Sequence, residues 1–220
     1  MLENLRTFEP LLMLLPGWAM GLLALPITER IRRGYRKREL TDAVVDELTS
    51  LQYTMAFVAY RMRARNADTP DEFLDSILPI VEKYAGPDSD PRIVSAMKSF
   101  RTLSAKDRAA AHLAMRNPGV GVTLKQYGLP LLAAQVADLA ICPLKFQRSV
   151  LKIRYQLDLF NQSVPYLQAL FEKTFTVTDK QKHEILIKNM EDGYSDSGRR
   201  AETIVRAIEE LRQRHPVHPE

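Results

Sequence analysis

Four histidines, one cysteine and a few oddly placed carboxylates are the groups in this 220-residue chain whose types could do chemistry. His112, His183, His215 and His218 never stand four residues from one another, nor beside a pair of cysteines. The spacing that turns two imidazoles onto one helix face around zinc is therefore missing, and no metal is expected. Cys142 precedes Pro143 in an apolar stretch with no histidine near it in sequence. A thiolate nucleophile needs an electropositive neighbour, so a buried, inert thiol is the expectation. A lone cysteine also excludes an internal disulfide. The segment "GVGVTLK" (119–125) has the glycines of a phosphate loop but not its Gly-Lys-Ser/Thr ending, and no strand pattern precedes it. It reads as a turn between helices. Neither a cofactor nor a catalytic residue is expected, and the pattern leans away from an enzyme.

Two charged features remain. Asp138 lies in "AAQVADLAIC" among apolar neighbours. If buried, that carboxylate would need a partner or a raised pKa; the alternative is a helix-face residue at a rim, or one in a salt bridge to Lys145, Arg148 or Lys152. Those three cations step by three and four residues and form a basic stripe on one helix face, suited to an acidic partner or to lipid headgroups.

The elements that would hold these groups are helices. Val44, Leu48, Leu51, Met55, Val58 and Met62 step by 4, 3, 4, 3 and 4, and Phe146, Val150, Ile153, Leu157 and Phe160 do the same. Such seams pack against other helices at shallow angles. Period-2 alternation is almost absent, so the fold class is all-α. Thr41, Thr69, Asp90, Ser104, Thr123 and Thr178 are expected to open helices as caps. Gly193 is expected to close one, and Pro79 and Pro165 to bend or divide theirs. A helix starting at Thr123 is expected to run through Ile141.

Charge is distributed unevenly. Residues 1–27 sum to −1, while residues 28–39 hold six basic residues (Arg30, Arg32, Arg33, Arg36, Lys37, Arg38) against Glu29 and Glu39, for a net +4. That equals the total for the chain, so the basic balance belongs to one segment and a nucleic-acid surface is not indicated. Before it, Pro10 to Ile27 are eighteen residues without a charge. As a helix they rise about 27 Å, at the lower edge of a membrane span. The cations follow the apolar run, which is the reverse of an export signal. Pro16 and mid-run Trp18 fit a tilted or kinked insertion better than a straight span. Gly17 and Gly21, four apart, offer a close-packing face for self-association.

These observations predict a membrane-inserted helix over 1–27, with Gly17, Trp18 and Gly21 at its contacts. A basic juxtamembrane segment over 28–40 would touch anionic lipid, an all-α domain would cover 41–215, and 216–220 would form a tail. The positive-inside rule puts the domain on the cytoplasmic side of an inner membrane. By elimination, the expected function is a scaffold, assembly or regulatory subunit of a membrane protein complex. It would act through protein partners by helical packing, with a homo-oligomer possible. One alternative is a soluble all-α protein with the first helix buried, binding an apolar ligand or lipid. Another is a membrane-associated enzyme on lipid-like substrates.

Overall fold

The computed structural model describes residues 9–84, 86–87, 89–115 and 124–215; the side chains of residues 9–17, 19–23, 25 and 115 are outside that description. The fold is all-α, with no strand among the described residues. Its elements are α1 (Glu9–Arg65), α2 (Asp71–Lys83), α3 (Pro91–Thr102), α4 (Ala105–Met115), α5 (Pro130–Gln135), a 3-10 helix (Ala137–Ile141), α6 (Leu144–Thr174) and α7 (Lys180–Arg214).

The core is built on the two apolar seams, with α7 packed against both α1 and α6. Val44, Leu48, Met55 and Met62 of α1, Phe146, Val150, Ile153 and Phe160 of α6, and Ile204 and Ile208 of α7 are all buried. Burying each such side chain contributes about 1.5–3 kcal/mol. Polar contacts set the register. Between α1 and α7, Arg63 donates to Glu202 at 2.6 Å and Gln52 donates to Glu209 at 3.0 Å, so the pair is antiparallel. Between α6 and α7, Ser163 meets Ser197 at 3.2 Å and Phe146 meets His215 at 5.1 Å, again antiparallel. Helices α1 and α6 therefore run in the same direction, with Thr41 Oγ1 beside Cys142 Sγ at 3.7 Å.

This register has a direct consequence. Helix α6 begins at Leu144 and α7 ends at Arg214, both level with about the mid-forties of α1. Below Leu40 helix α1 has run past its bundle partners. Ala24 and every residue from Pro26 to Glu39 are exposed. At the opposite end, α6 and α7 continue beyond Arg65 as a two-helix hairpin. Helices α2 to α5 pack along the flank of α1, burying Leu74, Ile77, Met97, Phe100 and Leu132.

Several local expectations are corrected. Thr41 starts no helix: α1 is one element of 57 residues. Its hydroxyl donates to the Lys37 carbonyl at 2.8 Å, one turn back, which a threonine inside a helix can do. Thr69 does not cap α2 either; its hydroxyl hydrogen-bonds His112 Nε2 at 3.1 Å. Of the two outcomes expected at Pro79 and Pro165, bending or division, division does not occur: each sits inside a single helix. Thr123 lies outside the described residues, and the long helix expected to follow it is absent. Residues 124–129 are irregular, α5 is short, and Pro130 takes its first turn. Glu47 of α1 supplies the cap from across the fold, accepting from Leu131 N–H at 2.8 Å and Leu132 N–H at 2.9 Å. Asp179, not Thr178, caps α7 by accepting from Lys182 N–H.

Gly193 ends nothing, because α7 runs through it and through Gly198. Both glycines are points of close approach. A Cβ at Gly198 would lie 2.8 Å from Met62 Cβ, and one at Gly193 would clash with the Leu167 side chain. The expectations for Asp90 and Ser104 match the structure: Asp90 accepts from Arg92 N–H at 2.9 Å, and Ser104 Oγ from Asp107 N–H at 3.2 Å.

Candidate functional site

The free segment of α1 carries the basic residues singled out from the sequence. Arg30, Arg32, Arg33, Arg36, Lys37 and Arg38 are all exposed, on a helix formed largely of strong helix formers. Arg33 pairs with Glu29 one turn back at 3.3 Å, in full contact with water, so the pair adds little. Ile27, Ile31 and Tyr35 stand four residues apart between the cations and are also exposed. The segment is thus amphipathic along its length, with no protein core to receive its apolar side.

Among the described residues of this segment, Arg36 reaches the rest of the fold, donating to Asp138 of the 3-10 helix at 2.9 Å. The 42% exposure of the Asp138 side chain fits a position at the rim of its helix face, while its partner comes from the basic segment rather than from Lys145, Arg148 or Lys152. Sequence proximity pointed to the wrong cation. The parallel register of α1 and α6 brings residue 36 level with residue 138, and only tertiary structure sets that register.

Trp18 is exposed at 67% of its surface. The surroundings of Gly17 and Gly21 are outside the described residues, and so is any test of their self-association. Among the described residues no helix is long and apolar enough to cross a membrane. The all-α class therefore stands, while the transmembrane assignment is not a structural finding.

Lys145, Arg148 and Lys152 form an exposed stripe on α6, and none pairs with a described carboxylate. Leu144, Leu151 and Tyr155, exposed at 58%, 46% and 59%, share that face. Sequence reading missed these three. They lie opposite the buried seam of α6, at positions i, i+7 and i+11, and that spacing was the available signal. The N-terminal end of the stripe is beside the base of the free α1 segment, through the Arg36–Asp138 and Thr41–Cys142 contacts.

No cluster of three potential metal ligands occurs among the described residues. Cys142 is buried, as expected for an unreactive thiol. A cavity of about 600 Å³ lies between α2 and α4, lined by Asp71, Arg108 and His112 among others. Most of its polar atoms are committed to the fold, although the buried Arg108 Nε has no hydrogen-bond partner among the described residues. His112 Nδ1 bonds the Ala64 carbonyl at 2.8 Å and Nε2 the Thr69 hydroxyl, while Arg108 pairs with Asp71 at 2.6 Å. The phenols of buried Tyr60 and half-buried Tyr127 have pKa values raised by desolvation, which keeps them neutral rather than basic. No nucleophile and base face each other across a free space in these surroundings.

Comparison with known protein families, characterised proteins and solved structures returns no match to this chain.

Proposed function

We propose that the chain is a membrane-anchored helical scaffold or regulatory subunit, attached through the first segment of α1 and working through the surface of its bundle. The observation that carries this reading is the free segment: a basic helix with exposed Ile27, Ile31 and Tyr35, continuous with the uncharged run 10–27, and standing clear of the bundle. An uncharged apolar run left in water forgoes about 25 cal/mol for each Å² that could be buried. Arg30 to Arg38 would then meet anionic headgroups, each cation adding about 1 kcal/mol near the surface. The positive-inside rule puts the bundle on the cytoplasmic face. Burial of residues 26–39 in a soluble core would need packing against the bundle, which those residues do not have.

Membrane fractionation tests the anchor. The full chain should sediment with membranes and survive a carbonate wash. Leu14→Arg combined with Leu22→Arg, or removal of residues 1–39, should release it. Recovery of the unaltered chain in the soluble fraction without detergent would overturn the proposal.

A further inference from the structure

We infer that the outward face of α6, from Leu144 to Tyr155, is the docking surface for an acidic amphipathic helix of another protein. The inference rests on the scaffold reading and names the chemistry of the partner.

The charge pattern comes first. Between Asp138 and Asp158 the chain has no carboxylate, yet it carries Lys145, Arg148, Lys152 and Arg154. Lys145 with Arg148 and Arg148 with Lys152 are like-charge pairs at i,i+3 and i,i+4, which weaken a helix when left alone. Helix α7 handles its cations differently. There Arg206 has Glu202, Arg212 has Glu209 and Arg214 has Glu210 within one turn on the same helix. Lys145, Arg148 and Lys152 of α6 have no carboxylate within a turn of them.

The apolar residues specify the shape of what supplies them. Leu144, Leu151 and Tyr155 form a line along α6, with the three cations along one side of it. A partner helix lying along this line would bury its own apolar stripe on the two leucines and the tyrosine ring, and set Asp or Glu beside Lys145, Arg148 and Lys152. Tyrosine and arginine side by side are also the residue types that dominate binding energy at such interfaces.

Direction selects a protein over a lipid surface. Helix α6 runs parallel to α1 and away from the proposed anchor. The twelve residues of the stripe extend about 16 Å along the side of the bundle at 1.5 Å per residue. A bilayer met end-on by α1 would reach only the first turn of the stripe. A second copy of this chain is disfavoured on charge, since like faces would oppose cation to cation.

The test is site-specific photo-crosslinking in cells with the full chain, placing a benzophenone amino acid at Tyr155 and, separately, at exposed Phe175 on the distal hairpin. The Tyr155 probe should label a protein segment with carboxylates flanking a helical apolar stripe. A synthetic peptide of that segment should bind the purified full chain, losing at least about tenfold in affinity on Lys145→Glu with Arg148→Glu and Lys152→Glu. If the triple reversal fails to fold by circular dichroism, Lys145→Gln with Lys152→Gln provides the comparison, with a smaller loss expected. Adducts to lipid, to a second copy or to a non-acidic segment, or peptide binding indifferent to these substitutions, overturn the inference. So does absence of a Tyr155 adduct. If Phe175 still captures a protein, the scaffold reading survives that failure; if neither position does, both fall.

Discussion

Asp90 shows how much one side chain does at a helix start. It accepts from the Arg92 backbone and is held by the Arg92 guanidinium at 2.9 Å. The side-chain bond from Arg92 is the first cause of its lowered pKa, with the backbone bond adding to it. A carboxyl whose pKa falls on folding contributes stability that is present above its unfolded pKa. That contribution is lost as pH falls through the folded value. The carboxyl carbon of Asp90 followed by NMR should therefore titrate below the usual aspartate range, and Arg92→Ala should move it back up. An ordinary titration in the unaltered protein would refute the assignment. Ala67 is a second single-residue case. Its φ of 56° is left-handed. It closes α1 in a Schellman turn, with Asp68 N–H bonded to Arg63 O at 3.0 Å and Ala67 N–H to Ala64 O at 3.2 Å. Alanine is strained there and glycine is not, so Ala67→Gly should stabilise by about 0.5–1 kcal/mol and raise Tm. A lowered Tm would count against this geometry.

At the scale of elements, the glycines of α7 show why a helix-stop signal failed. In an isolated sequence Gly193 reads as an end, since glycine disfavours a helix by about 1 kcal/mol. In the bundle it marks where α6 comes close, and Gly198 marks where α1 does. The two sites should respond differently to alanine. At Gly198 the obstacle is Met62 Cβ, which cannot move without its backbone, so Gly198→Ala should cost about 1–3 kcal/mol despite the better helix former. At Gly193 the obstacle is a terminal methyl of Leu167, which can rotate away, so Gly193→Ala should be milder. Thermal melts of the two variants decide it; equal effects would mean that the helix spacing differs from this one. The apolar seams of α1 and α6 were legible because a core face repeats at the helical period. The starts of α2 and α5 were not legible because the imidazole that engages Thr69 and the carboxylate that caps α5 come from elsewhere in the fold, whereas at α7 the cap is Asp179, the immediate neighbour of Thr178. Glu47 lies more than eighty residues from the donors it serves.

For the whole molecule, the bundle and the free segment of α1 should be separable. Residues 26–39 bury almost nothing, and their tie to the fold among the described residues is an exposed ion pair worth about 0–1 kcal/mol. A chain beginning at Leu40 should keep its helical circular dichroism and melt within a few degrees of the full chain, even as membrane sedimentation is lost. A collapse of the melt would show that the segment belongs to the core.

What the sequence determined by itself was the all-α class, the two apolar seams and the placement of nearly all the excess charge in residues 28–39. Each is a local property, written in periodicity or in a count. Only the tertiary structure decided that those twelve residues continue one helix past its partners, that Arg36 rather than a nearby cation meets Asp138, and that Leu144, Leu151 and Tyr155 remain uncovered beside Lys145, Arg148 and Lys152. These follow from register, and register is set by how three helices lock together at Gly193, Gly198, Gln52 and Ser163. No short window of sequence contains both sides of those contacts.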